Sequence, residues 1–185
     1  MRHSSGMETP PQLESEPGEF GIAMTSSNTP PAIRILPMSD KIDGFRGLSI
    51  ADVQSHIFLR KLPAMKGRFP YRSSGLKAAS GTVVLFQFKA RIVASAIFLR
   101  DEKFDCPIGD CNGAMFFDVK SFRTFKPLDV EAMRKIWPRF GSFGHVKQRL
   151  NPTLYRRFNR ALQQVRTNAK RARDRRSSKP SRTAV

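Results

Sequence analysis

Apolar residues are densest between Gly81 and Leu99, GTVVLFQFKARIVASAIFL, where two runs of Val, Ile and Phe flank Lys89-Ala90. Branched and aromatic residues in runs this short suit a pleated surface better than a helix, so the pattern predicts two antiparallel strands turning at Lys89-Ala90. In the first arm Val83, Leu85 and Gln87 alternate with Val84, Phe86 and Phe88. Both sides are apolar until the turn, as in a strand covered on both faces. In the second arm Ala94, Ser95 and Ala96 are small and leave room for a close neighbour or for curvature of the sheet. The turn itself carries a tension. Two-residue hairpin loops want left-handed backbone, which Gly and Asn adopt easily and Ala does not, so either the loop is longer or the turn is strained.

Shorter patterns place the remaining elements. Ile33, Ile35 and Leu36, bounded by prolines, predict a short edge strand over 32–38. Ser49 is placed to cap a helix from Ile50 to about Lys61, with Ile50, Val53, Ile57 and Lys61 at helical spacing and Pro63 as its stop. His56 lies beside that stripe and reads as a packed or solvated side chain rather than a catalytic group. The segment KGRFPYRSSGLKAAS, from Lys66, reads as a basic loop leading into the hairpin, and 101–113 as an acidic, turn-rich loop. In AMFFDVKSFRTF, Met115, Phe117 and Val119 share a parity that Phe122 and Phe125 do not continue, which requires a bulge or tight turn near Lys120-Ser121. Asp129 caps a helix through Val130, Met133 and Trp137 that Pro138 ends. Asn151-Pro152 opens another, with an apolar stripe of Leu154, Phe158, Ala161, Leu162 and Val165 and with Arg156, Arg157 and Arg160 on the other face.

These elements predict one α+β domain over 32–165: a small, curved, barrel-like and mostly antiparallel sheet with peripheral helices. Residues 1–31, rich in Ser, Pro, Glu and Thr, are expected to be a disordered N-terminal segment, and 166–185 a basic disordered tail. No run approaches the roughly 18–20 apolar residues that cross a bilayer, and the polar, Pro-rich start is unlike a signal peptide. An intracellular protein with no transmembrane segment is therefore expected.

Charge narrows the partner. The chain carries 33 Lys and Arg against 15 Asp and Glu, a net +18, and from Arg134 onward there are 16 basic residues and one acid, Asp174. An excess so localised is the footprint of a polyanion, with nucleic acid, DNA or RNA, ahead of an anionic membrane surface; a basic solubilising tail is the bland alternative. Candidate phosphate contacts are Lys147, Arg149, Arg156, Arg157 and Arg160. Candidates near a base are Lys89 and Arg91 at the hairpin turn, with Phe69 and Tyr71 from the preceding basic segment. For any single Phe among the 15, and for Trp137, a place in the core is the commoner role.

Candidate chemistry adds little. Cys106 and Cys111 supply only two thiolates where zinc takes about four ligands, so they read as reduced thiols, and no metal or cofactor is expected. Phosphate loops, zinc-protease helices and nucleophile elbows are absent. Asp118-Val-Lys120 is the one enzyme-like pattern. An acid-x-Lys strand end could serve a magnesium-dependent nuclease, with the acid on the metal and the Lys on the developing charge, but it needs a second acid. A solvated strand end is the simpler reading.

The Gly-led pair GTVVLFQFKARIVASAIF, followed by a loop and then AMFFDVKSFRTF, resembles the PUA-like superfamily and its EVE and ASCH members over about Ala32 to Leu162. That resemblance implies a barrel-like sheet with peripheral helices that binds RNA or DNA, and in several members takes a modified base into an aromatic-walled pocket. Extruding a base costs a few kcal/mol, recovered by stacking and edge hydrogen bonds. The C-terminal stretch EAMRKIWPRFGSFGHVKQRLNPTLYRRFNRAL has no counterpart in the family pattern, and no pocket residue is carried over. The sequence thus reads as a non-enzymatic nucleic-acid-binding domain, extended by the resemblance to modified-base recognition. The alternatives are a nuclease centred on Asp118 and Lys120, and an interaction protein with a basic docking tail.

Overall fold

A computed structural model describes residues 29–41, 44–144 and 148–163; the expectations for Lys147, for most of 1–31 and for the 166–185 tail lie outside them. The central hairpin forms as its apolar pattern requires. Strand β3 (Val83–Phe88) pairs antiparallel with β4 (Arg91–Ile108), and Phe88 stands opposite Arg91 across the turn. Lys89 (φ 47°) and Ala90 (φ 53°) are both left-handed. The loop is therefore the short one, and the turn is strained.

β1 (Ile33–Pro37) is not an edge strand. It runs parallel to β3, with Ile33 opposite Val83, and pairs on its other side with β7 (Arg149–Leu150). Its Ile33 and Ile35 are buried in one core and Leu36 in the other, so both of its faces are covered. The predicted basic loop begins as a strand, β2 (Arg68–Tyr71), paired with β5 (Cys111–Phe117). Nor is 101–113 a loop: β4 runs on to Ile108, turns at Gly109-Asp110 and returns as β5. Its side chains are polar because much of this ribbon is exposed, and the backbone ladder holds it without an apolar face.

The ladder order is β2-β5-β4-β3-β1-β7, and β6 (Arg123–Leu128) joins β4 beside β5. One edge of β4 thus serves two partners, β6 over Ile92–Ser95 and β5 from Phe98 onward. The fork between them is the tight turn that the parity change demanded, a 3-10 turn over Val119–Ser121. There the Ile97 N–H donates to Ser121 Oγ (2.8 Å), while the Asp118 N–H donates to the Ile97 carbonyl (2.9 Å), so neither backbone group is stranded where the partner changes.

Ser49 caps the first helix through a capping box with Asp52. The helix then runs as an α-turn (Ile50–Asp52), a π-helical stretch (Val53–Lys61) and a final α-turn (Leu62–Ala64). Pro63 does not stop it. It lies inside the last turn, and the helix ends two residues later at Met65. The second predicted helix spans Val130–Ile136 under the Asp129 cap, and a third covers residues 155–163 after a 3-10 turn (Pro152–Leu154) capped by Asn151.

Alternation along β3 creates two cores. Val84, Phe86 and Phe88 pack under the π-helical stretch with Val53, Ile57 and Phe58. Val83 and Leu85 face the opposite side and meet Met133, Ile136, Trp137 and Phe158. The fold is thus mixed α+β with a mostly antiparallel sheet whose ladder ends at β2 and β7 without closing into a barrel. No helix among the described residues is long and apolar enough to cross a membrane.

Candidate nucleic-acid interface

The open seam of the sheet holds a pocket of about 410 Å³, within the roughly 300–1,000 Å³ of small-ligand sites. Its walls come from the end of β1 (Leu36, Met38), the loop carrying Phe45, the helix residues Ile57 and Leu62, and Phe69, Tyr71 and Met115 of β2 and β5. β1 and β2 stand four places apart in the ladder, which in a flat sheet would separate them by about 19 Å. Sharing one pocket requires the sheet to curl, and the pocket occupies the gap the curl leaves open.

Each aromatic wall is held by a neighbour. Phe69 packs 6.0 Å from Phe86 and edge-on to Phe117 at 6.4 Å, and Phe45 lies 6.2 Å from Phe88. The Tyr71 hydroxyl donates to the Glu102 carbonyl at 3.3 Å. Burial, and after it the Asp101 carboxylate, push the Tyr71 phenol above its ordinary value, so it remains a neutral donor at physiological pH. Two glycines make this wall possible. A Cβ on Gly113 would collide with the Tyr71 hydroxyl, and Gly67, at φ 76°, lies against the Phe117 carbonyl where no side chain fits. The following loop is fastened by Asp101, whose carboxylate accepts from the Leu76 N–H (2.9 Å) and the Lys77 N–H (2.7 Å). Exposed Lys61 and Arg72 complete the rim, Arg72 meeting Asp110 at 3.1 Å.

Of the residues singled out from sequence, Phe69 and Tyr71 come together in the pocket. Lys89 and Arg91 do not line it. Lys89 Nζ donates to the Leu48 carbonyl (2.8 Å), which ties the hairpin turn to the loop that carries Phe45, and Arg91 is exposed with its charge felt by Asp129. Arg149 is exposed on β7, with Arg34 as its cross-strand partner. Arg156, Arg157 and Arg160 are exposed on the 155–163 helix, whose buried Phe158 packs against Trp137 at 5.5 Å and Phe125 at 5.7 Å. That helix covers the other face of the sheet from the pocket. Trp137 is a core residue whose Nε1–H donates to the Asn151 carbonyl at 3.0 Å.

Sequence reasoning missed Phe45 and Arg34, and placed Lys61 on a helix stripe without its role at the rim. Phe45 stands alone among polar residues with no periodicity to mark it; the one signal for Arg34 is a cation between two isoleucines of an apolar strand. The Asp118 carboxylate accepts from the Lys120 N–H (3.0 Å) as the cap of its own turn. Cys106 and Cys111 are free thiols, and the described residues hold no group of three or more His, Cys, Asp or Glu able to cage a metal.

Fold and site together define an α+β domain with a curled, open sheet, an aromatic pocket in its seam and a basic helix on its far face. No family model matches the chain, and no curated protein matches it in sequence. Among solved structures it is similar to the YTH domain of the Zygosaccharomyces rouxii MRB1 protein, determined in complex with N6-methyladenosine RNA, at 11% identity over 71% of this chain and 86% of that chain, with a TM-score of 0.42.

Proposed function

We propose that this chain is a non-enzymatic domain that binds single-stranded nucleic acid and takes one unstacked base into the seam pocket. The observation that carries the reading is an apolar pocket walled by Phe45, Phe69 and Tyr71 on a chain with net charge +18. Aromatic walls supply stacking and the basic residues supply phosphate contacts, the two interactions single-strand binders combine. A base inside a duplex cannot reach such a pocket, so a single strand or an extruded base is the substrate. The apolar lining suits a base with an added apolar group such as methyl, which also agrees with the resemblance of the central strand pair to PUA-like domains. Arg149, Arg156, Arg157 and Arg160 hold the backbone, with Lys61 and Arg72 at the rim.

Anisotropy titrations of labelled single-stranded and duplex DNA and RNA at several salt concentrations test this. Stacking on an aromatic contributes about 1–3 kcal/mol per base, so Tyr71→Ala is expected to weaken single-strand binding by roughly 5- to 150-fold while leaving the salt dependence unchanged. No binding at low salt, or undiminished binding by Tyr71→Ala, overturns the reading.

A further inference from the structure

β7 has two residues, and its register on β1 sets Leu150 opposite Ile33 and Arg149 opposite Arg34. Leu150 and Ile33 both belong to the core under the Val130–Ile136 helix, so alternation sends Arg34 and Arg149 to the other face. That is the face of Leu36 and Met38, which follow Arg34 at two-residue steps and line the pocket. Side chains directly opposite in an antiparallel pair have Cβ atoms about 4.5–5.5 Å apart, and like charges so placed oppose the pairing.

This repulsion falls on half of a two-residue strand. Arg34 is moreover partly buried, and burial, followed by the charge of Arg149, lowers its pKa. A threonine or glutamate at position 149 would avoid this like-charge contact across the strands. Their register sets the two arginines directly opposite each other, and a guanidinium fork matches the oxygens of a phosphate.

We propose that Arg34 and Arg149 form a phosphate-binding site at the β1–β7 edge, and that it holds a backbone phosphate near the nucleotide whose base enters the pocket. The second half rests on the base-pocket reading above, and the first does not.

The test uses the full chain, with Arg149→Glu and Arg34→Met as variants, inorganic phosphate as one probe and a short labelled single-stranded oligonucleotide as the other. At matched ionic strength phosphate is expected to raise the melting temperature of the parent protein more than chloride does, and this difference should shrink in both variants. The slope of log K against log salt for the oligonucleotide should fall by about 0.7, the value of one single-strand phosphate neutralised. Arg149→Glu should melt higher than the parent while binding more weakly, because attraction replaces repulsion across the strands. Unchanged slopes together with no phosphate preference over chloride overturn the site. If the Arg variants behave as expected and Tyr71→Ala binds normally, the phosphate site stands and the base pocket falls. If Tyr71→Ala alone is impaired, the pocket stands and the phosphate site is wrong.

Discussion

At the scale of single residues, the Lys89-Ala90 turn shows strain with an identifiable use. Left-handed backbone costs a non-glycine residue about 1–2 kcal/mol, and glycine in its place returns about 0.4–1 kcal/mol to the unfolded chain as entropy. Ala90→Gly is therefore expected to stabilise the protein by roughly 0.5–1 kcal/mol in urea unfolding. Lys89→Gly should gain less or nothing, although Lys89 is equally left-handed. Its ammonium is bonded to the Leu48 carbonyl and lies 5.4 Å from the Phe88 ring centroid, so the same substitution removes both interactions. Equal gains at both positions would show that these interactions of Lys89 contribute nothing. The misfit of Ala in a two-residue turn was legible in the sequence. What Lys89 reaches was not, since Leu48 is 41 residues away and belongs to a loop without periodicity.

At the scale of elements, helix caps were legible because one side chain and one backbone N–H decide them locally. Ser49, Asp129 and Asn151 all cap where their spacing to the following apolar residues predicted. The caps also make a pH prediction. Hydrogen bonds from the Ser49 side chain and then its backbone hold the Asp52 carboxyl below its ordinary value of 3.8. The Ala132 N–H does the same for Asp129. A carboxyl depressed in the folded state contributes stability that is complete above its unfolded value and lost as pH falls through the folded one. Acid titration of the melting temperature should therefore show a decline below about pH 4 that flattens in Asp52→Asn and Asp129→Asn.

The π-helical stretch was not legible, because nothing in VQSHIFLRK departs from an ordinary helical period. It is tied to the sheet through Gln54. Gln54 Nε2 donates to both the Val93 and the Phe125 carbonyls at 2.7 Å, where the β4–β6 register shifts. Removing a side chain that satisfies part-buried carbonyls costs about 1–3 kcal/mol, so Gln54→Ala is expected to lower stability by that amount in urea unfolding. The ribbon over 101–113 escaped for a related reason. Its strands present no apolar face, and their pairing lies in backbone hydrogen bonds that leave no periodic trace.

At the scale of the whole molecule, β3 puts the aromatic pocket and the basic helix on opposite faces of one sheet. The alternation that separates them was visible in VVLFQF; the curl that brings β1 and β2 to one pocket was not, since it depends on which strands pair and where β4 changes partner. The separation bears on how one ligand would use both features. On the proposed reading, a short oligonucleotide with its base in the pocket would reach the β1–β7 edge but not the helix behind, whereas a longer strand would follow that edge, because Asn151 leads directly from β7 into the helical turn. Replacing Arg156, Arg157 and Arg160 by Gln should therefore leave the affinity for the shortest binding oligonucleotides unchanged and flatten the rise of affinity with length. For long strands the salt slope should drop by about 0.7 for each phosphate that is no longer neutralised. Titrations of the triple variant against single strands of increasing length measure this directly. A weakening equal at every length would mean that the helix arginines act through the overall charge of the molecule, and that no strand passes from one face to the other.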